Sequence, residues 1–241
     1  MYKRQRLTVP PAIPPAVRFA LDLRAPRVGE VHLDALTLTG TADAETVRFE
    51  GDATAPGGAA HVRATIAPTP ETYDLRLVAK DLDPGTLAGR TELAGRLNGT
   101  LTAIGTGFTP AATRGQLEVV VTPSHLGRVT IAAGSVRAHA ESGRLVVEQA
   151  NVTSNVGTAD LAGEIALDED AAPSAGGLRG TVRVTDLRPL GELLERPAVR
   201  GAGTLTIAAH GRPGAFDVNA VLAARGLADE GWRTAILDAT F

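Results

Sequence analysis

Apolar residues recur at every second position through most of this chain, and that rhythm most constrains what it can fold into. Leu36 and Leu38 alternate with Thr37 and Thr39, Val47 and Phe49 with Arg48 and Glu50, and Leu75 and Leu77 with Asp74 and Arg76. The same rule runs through Leu117, Val119 and Val121, then Val129 and Ile131, Leu145 and Val147, Val182 and Val184, and Leu205 and Ile207. Phe216, Val218, Ala220 and Leu222 form the longest clean run. Successive side chains of a strand point to opposite faces, so a period of two predicts strands with one apolar and one polar face. Turn-forming residues separate the runs: Gly40, Gly51-Asp52, Pro56-Gly57-Gly58, Asn98-Gly99, Gly105-Thr106-Gly107, Ser142-Gly143 and Gly211-Arg212-Pro213-Gly214. They predict tight turns and an antiparallel meander. Helical signal is confined to Pro189 to Glu195, where Leu190, Leu193 and Leu194 share a face before Pro197, and to a weaker counterpart at Pro84 to Leu87. The expected fold is all-β, with one or two short helical turns.

Composition narrows this further. Hydrophobic residues make up 44% of the 241, yet aromatics only 3%. Compact cores draw heavily on large aromatic side chains. A thin sheet with a small-residue face fits better than a thick centre.

The chain also resembles itself. At a shift of 98 positions Gly29 meets Gly127, Val31 meets Val129, Leu38 meets Val136, Val47 meets Leu145 and Phe49 meets Val147. At 105, Asp81-Leu82-x-Pro84 meets Asp186-Leu187-x-Pro189; at 104, Thr100-Leu101-Thr102 meets Thr204-Leu205-Thr206. At 101, Leu117, Val119 and Val121 meet Val218, Ala220 and Leu222. Self-similarity at a fixed period signals stacked repeats. The units are read as residues 20–125 and 126–229, with 230–241 the truncated start of a further one. Residues 1–7 are read as an artefactual start, because Tyr2-Lys3-Arg4-Gln5 matches the translation of a sequencing-adapter end. The last residues, Asp238-Ala239-Thr240-Phe241, stop inside a strand-like pattern, so the chain is read as a fragment cut at both ends.

Most reactive chemistry finds no support. There is no cysteine, which removes disulfides, thiolate metal sites and Cys nucleophiles. The net charge is −3 without a basic block, which argues against nucleic acid as a partner. No apolar run is long enough to cross a bilayer as a helix, and no signal peptide is visible. His32, His61, His125, His139 and His210 are scattered, without metal-ligand spacing. Ser124-His125 lacks the Gly-x-Ser-x-Gly frame of a nucleophile elbow. Gly105-Thr106-Gly107 lacks the third glycine and helix of a dinucleotide loop. Asp168-Glu169-Asp170 could hold a hard cation but reads more simply as a solvated loop. No catalytic residue, cofactor or metal site is therefore assigned.

A strand ending in Asp-Leu, a short helical turn and a glycine-rich strand carrying Gly-Thr-Leu occur in both copies. They run from Asp81-Leu82 to Gly99-Thr100-Leu101, and from Asp186-Leu187 to Gly203-Thr204-Leu205. With Gly115-Gln116-Leu117-Glu118-Val119 and Gly143-Arg144-Leu145-Val146-Val147, this pattern resembles the TamB and AsmA-like bacterial envelope proteins over nearly the whole chain after residue 20. The resemblance implies an elongated antiparallel repeat sheet curled into an open groove. It also implies a non-enzymatic periplasmic segment of a parent protein anchored in the inner membrane. Phospholipid acyl chains and an outer-membrane β-barrel protein are the implied partners. The implied work is phospholipid transport between the membranes, assembly of outer-membrane proteins, or both. Leu117, Val119, Val121, Leu205, Ile207, Phe216 and Val218 are the expected groove lining. The alternative is a purely structural β-repeat of a surface adhesin or secreted protein, with these residues packed in a closed sandwich.

Overall fold

A computed structural model describes residues 16–28, 31–55, 57–90, 93–141, 143–168, 176–212, 215–229 and 231–240. The expected artefactual start at 1–7, and Glu169, Asp170 and Phe241, lie outside the described residues. The strands are β1 (Val17–Arg24), β2 (Arg27–Val28), β3 (Val31–His32), β4 (Ala35–Ala42), β5 (Val47–Ala55), β6 (Gly58–Ala67), β7 (Thr72–Leu82) and β8 (Gly95–Thr106). They continue as β9 (Arg114–Leu126), β10 (Val129–Glu141), β11 (Arg144–Ser154), β12 (Gly157–Ala166), β13 (Leu178–Val184), β14 (Arg200–Arg212), β15 (Ala215–Asp229) and β16 (Trp232–Thr240). Two short helices interrupt the series, α1 (Pro84–Ala88) after β7 and α2 (Arg188–Leu193) after β13. All strands except the small β2–β3 pair form one antiparallel 14-stranded sheet in chain order, open between β1 and β16. The all-β meander with two helical turns is the fold that the alternation implies.

Register aligns the apolar positions into rows. One row crosses all fourteen strands: Leu23, Leu36, Ala53, Ala60, Ala79, Gly99, Val121, Gly134, Val152, Ala159, Val182, Leu205, Leu222 and Ala239. The row beside it runs from Leu21 through Leu77, Leu101, Val119, Val136 and Leu161 to Ile207 and Ala220. A third runs from Phe19 through Phe49, Leu75, Leu117 and Val147 to Val218. The intervening rows carry Thr, Arg, Asp, Glu and His.

Keeping every strand in phase needs local corrections. A one-residue slip would send a strand's apolar set to the wrong face. In β11 the apolar positions change parity between Val147 and Ala150, and a bulge at Glu148–Gln149 absorbs the change against both neighbours. In β9 the parity changes between Val121 and Ser124, and the register against β8 shifts there. In β10 it changes between Ile131 and Gly134, and the register against β11 shifts between Ile131 and Ala133. Buried Ser124 repairs the β9 irregularity: its Oγ accepts from the Asn98 N–H at 2.9 Å and lies 2.7 Å from the Thr122 carbonyl, to which it donates.

Several expected turns proved to be strand interiors. Gly40 lies in β4, Gly51-Asp52 in β5 and Asn98-Gly99 in β8. The reason is space. A Cβ on Gly40 would lie 2.9 Å from Phe19 Cε1, and one on Gly51 2.9 Å from Leu38 Cδ1. Each glycine makes room for a large side chain leaning across it, as the Tyr73 ring does over Gly105. Turns form instead at Gly57, Gly107 and Gly143, which adopt positive φ.

Among the described residues none covers the apolar face. The buried hydrophobic residues are alanines and Val147, and no large side chain is fully buried. The 24.8 kDa chain exposes 15,766 Å², against about 10,000 Å² expected of a compact monomer of that mass. This is an open sheet, and the closed-sandwich alternative does not describe it. The sheet curls locally: β12 and β14 approach within 8 Å of each other, where next-nearest strands of a flat sheet lie about 9.6 Å apart.

Both helices and the β2–β3 hairpin sit at the same end of the strands, called here the helical rim; the opposite end is the hairpin rim. Asp83 caps α1, accepting from the N–H groups of Gly85 and Thr86, and reaches Gly95 N at 3.1 Å. In α2, Asp186 accepts from Arg188 N and pairs with the Arg188 guanidinium at 2.7 Å. The α2 turn ends at Leu193, short of the expected Glu195, because Glu195 takes a positive φ of 57°.

Leu101→Asn is expected to cost about 2–3 kcal/mol by urea denaturation, through lost packing and a desolvated amide. Its neighbour Thr102→Asn, on the other face, should stay within about 0.5 kcal/mol. Thr86's hydroxyl, and then the main-chain donors of Gly95, Thr86 and Gly85, hold the Asp83 carboxyl below its usual value of 3.8. Its contribution is therefore present above that value and lost as pH falls through the lower folded pKa. Asp83→Ala should cost about 1 kcal/mol at neutral pH, and the difference from wild type should vanish at strongly acidic pH.

Candidate functional site

The candidate site is the apolar face itself, a surface that crosses fourteen strands and is called here the trough. Three adjacent rows carry no charged residue over thirteen or fourteen strands. Most of the large side chains in them are half-buried although nothing lies above them. Each packs sideways on cross-strand neighbours, with Cβ atoms about 5 Å apart. Alanine and glycine are interspersed among the larger side chains and alternate strictly with them in the row from Phe19 to Val218, which keeps the floor thin.

Register brings the seven sequence-picked lining residues onto this one face. Leu117, Val119 and Val121 stand in three successive rows of β9. Leu205 and Ile207 of β14 fall in the rows of Val121 and Val119, and Val218 of β15 in that of Leu117. Phe216 is placed opposite Gly211 by its backbone, and its side chain lies outside the described residues. Val218 is 53% exposed, and Val152 37%. The sequence-based lining omitted the equally placed Leu75, Leu77, Leu101 and Leu161. Their period-two pattern was visible; which residues share a row depends on register.

The other face is electrostatically self-paired. Arg63 meets Glu50 at 3.1 Å, Arg137 meets Glu118 at 3.3 Å, and Arg144 meets Glu164 at 3.5 Å. Three histidines join the same cross-strand pattern: His61 Nδ1 lies 2.8 Å from Asp52, His139 Nδ1 2.9 Å from Glu148, and His210 Nε2 3.2 Å from Asp217. Single-residue reading missed these pairs, because the partners meet only across a hairpin. The walled concavities are small and shallow and lie largely over this polar side. One of about 340 Å³ lies among Thr102, Gln116, Glu118 and Arg137, and one of about 540 Å³ among Arg183, Thr204, Arg225 and Ile236.

Ser124 Oγ is occupied by main-chain bonds and His125 is exposed beside it, so the two are not arranged as nucleophile and base. Among the described residues no group of three or more His, Asp or Glu side chains is placed to hold a metal ion, and no helix is long and apolar enough to cross a membrane. Leu38 and Val136, Phe49 and Val147, Leu101 and Leu205, and Leu117 and Val218 each lie on strands six apart. The sheet runs without a break in pairing past residues 125–126, so the two stretches share one surface.

Comparison with protein-family models, with curated proteins and with solved structures finds no match.

An environment-sensitive apolar dye should bind the trough. Ile207→Lys is expected to lower its fluorescence, whereas Thr206→Lys, one residue away on the other face, should leave it unchanged.

Proposed function

We propose that this chain is a non-enzymatic segment of a TamB/AsmA-like periplasmic bridge, whose trough takes phospholipid acyl chains passing between the inner and outer membranes. The observation that carries the reading is the set of three uncharged apolar rows, continuous along the sheet and uncovered. Monomeric proteins seldom expose apolar patches larger than a few hundred Å² unless the patch binds something. Acyl chains suit this surface because they need no directional partner. Each buried methylene contributes about 0.8 kcal/mol. Because the rows repeat strand after strand, neighbouring positions along the trough are nearly equivalent in energy. A chain bound there meets no deep trap, and transport requires that. The resemblance also carries a role in assembling outer-membrane β-barrel proteins, in which the same surface would shelter an apolar strand.

Protein purified without detergent should carry phospholipid, read by mass spectrometry of the extracted complex. Val119→Arg, in the middle row, should reduce the lipid carried by at least about fivefold, since a charge in an apolar site is strongly disfavoured. Lipid-free protein with a dry apolar face would sink the transport reading and favour a structural β-repeat of a surface or secreted protein.

A further inference from the structure

The chain between β13 and β14 does more than connect them. Starting from β13, the main-chain N–H groups of Thr185 and Asp186 bond to the Val156 carbonyl in the β11–β12 turn, at 2.8 and 3.3 Å. Leu187 N bonds to Gly201 O of β14 at 3.0 Å. Glu192 of α2 reaches further back, to Arg128 in the β9–β10 turn, through two parallel contacts: Nε to Oε2 at 2.9 Å and a terminal nitrogen to Oε1 at 3.1 Å. Arg196 reaches forward to Asp229 at the β15–β16 turn, whose side chain is only 8% exposed. One segment of chain is thus tied at turns lying six strands apart.

Distance gives these ties their meaning. Six spacings of a flat sheet cover about 29 Å. Glu192 and Arg196 are four residues apart, and four residues span at most about 14 Å. The side chains of Arg128, Glu192, Arg196 and Asp229 bridge the remainder, and α2 approaches both β10 and β14 while β12 approaches β14. Leu187, Leu190 and Leu193 are half-buried, and α2 lies against β10 and β14 at that rim. At the hairpin rim the connections among the described residues contain no helix.

We infer that segment 185–199 is a latch, closed by the Arg128–Glu192 pair, that holds the curl and shuts the helical rim of the trough. Apolar ligands then enter and leave across the hairpin rim. The entry route rests on the lipid-conducting reading above; the latch itself does not.

The absence of native cysteine allows two labels to be placed uniquely. In the 241-residue chain carrying His125→Cys and Glu195→Cys, both exposed positions, a spin-label distance measurement reads the latch without any lipid. Wild type should give one short, narrow distance. Arg128→Glu should lengthen or broaden it, and the charge swap Arg128→Glu with Glu192→Arg should restore it. A second arm follows uptake of a fluorescent long-chain fatty acid. Uptake should quicken about two- to fivefold in Arg128→Glu, the scale of a single exposed ion pair, and return to the wild-type rate in the swap. An unchanged distance in Arg128→Glu overturns the latch. A changed distance with unchanged uptake overturns its control of entry. Failure of wild type to take up the fatty acid at all counts against the lipid-conducting reading and leaves the distance result to decide the latch.

Discussion

Antiparallel register is the constraint on which the rest of this structure depends. A strand has only two faces, and hydrogen bonding to its neighbour decides which residues share one. Fourteen strands in unbroken succession must agree for a row such as Leu23 to Ala239 to form. The chain meets that condition with bulges wherever its own parity slips, at Glu148–Gln149 above all. Without those extra residues half of β11 would turn its alanine and valine to the charged side.

The same constraint explains why the fold lacks a core in the ordinary sense. A sheet usually buries its apolar face against a second layer. Here the face is covered only by its own side chains, packed laterally over a floor of alanine and glycine. Glycines such as Gly40 and Gly51 are part of that packing, because they leave room for Phe19 and Leu38 to lie across them. The opposite face is held by short cross-strand ion pairs in water, each a small contribution. An apolar surface without a partner and a polar surface with its charges matched internally assign the two faces different work. One is solvated. The other is covered by no described residue.

The two rims differ as well, and that difference comes from where longer connections fall. In an antiparallel meander every second connection lies at the same end of the strands. The β2–β3 hairpin, α1 and α2 occupy the first, third and sixth connections of the helical rim. Asp83 and Asp186 order the two helical starts by different means, the first through main-chain donors and Thr86, the second chiefly through Arg188. The curl and the closure of one rim thus depend on a few polar anchors, while the trough depends on distributed apolar contact.

Alternation in the sequence by itself determined the class of fold, the two-faced character of the strands, the two helical turns and the membership of the apolar set. The reason is local: side-chain direction in a strand depends only on the parity of position. Tertiary structure alone decided what depends on which strand lies beside which. It placed Gly40, Gly51 and Asn98-Gly99 inside strands; at Gly40 and Gly51 a bulky neighbour in another strand sets the role, and no local signal reports that. It located the bulges, which appear in the sequence only as breaks of parity. It joined Arg128 to Glu192 and Arg196 to Asp229, partners 64 and 33 residues apart in the chain. It also left the apolar face open, because no second layer exists in the described chain to cover it.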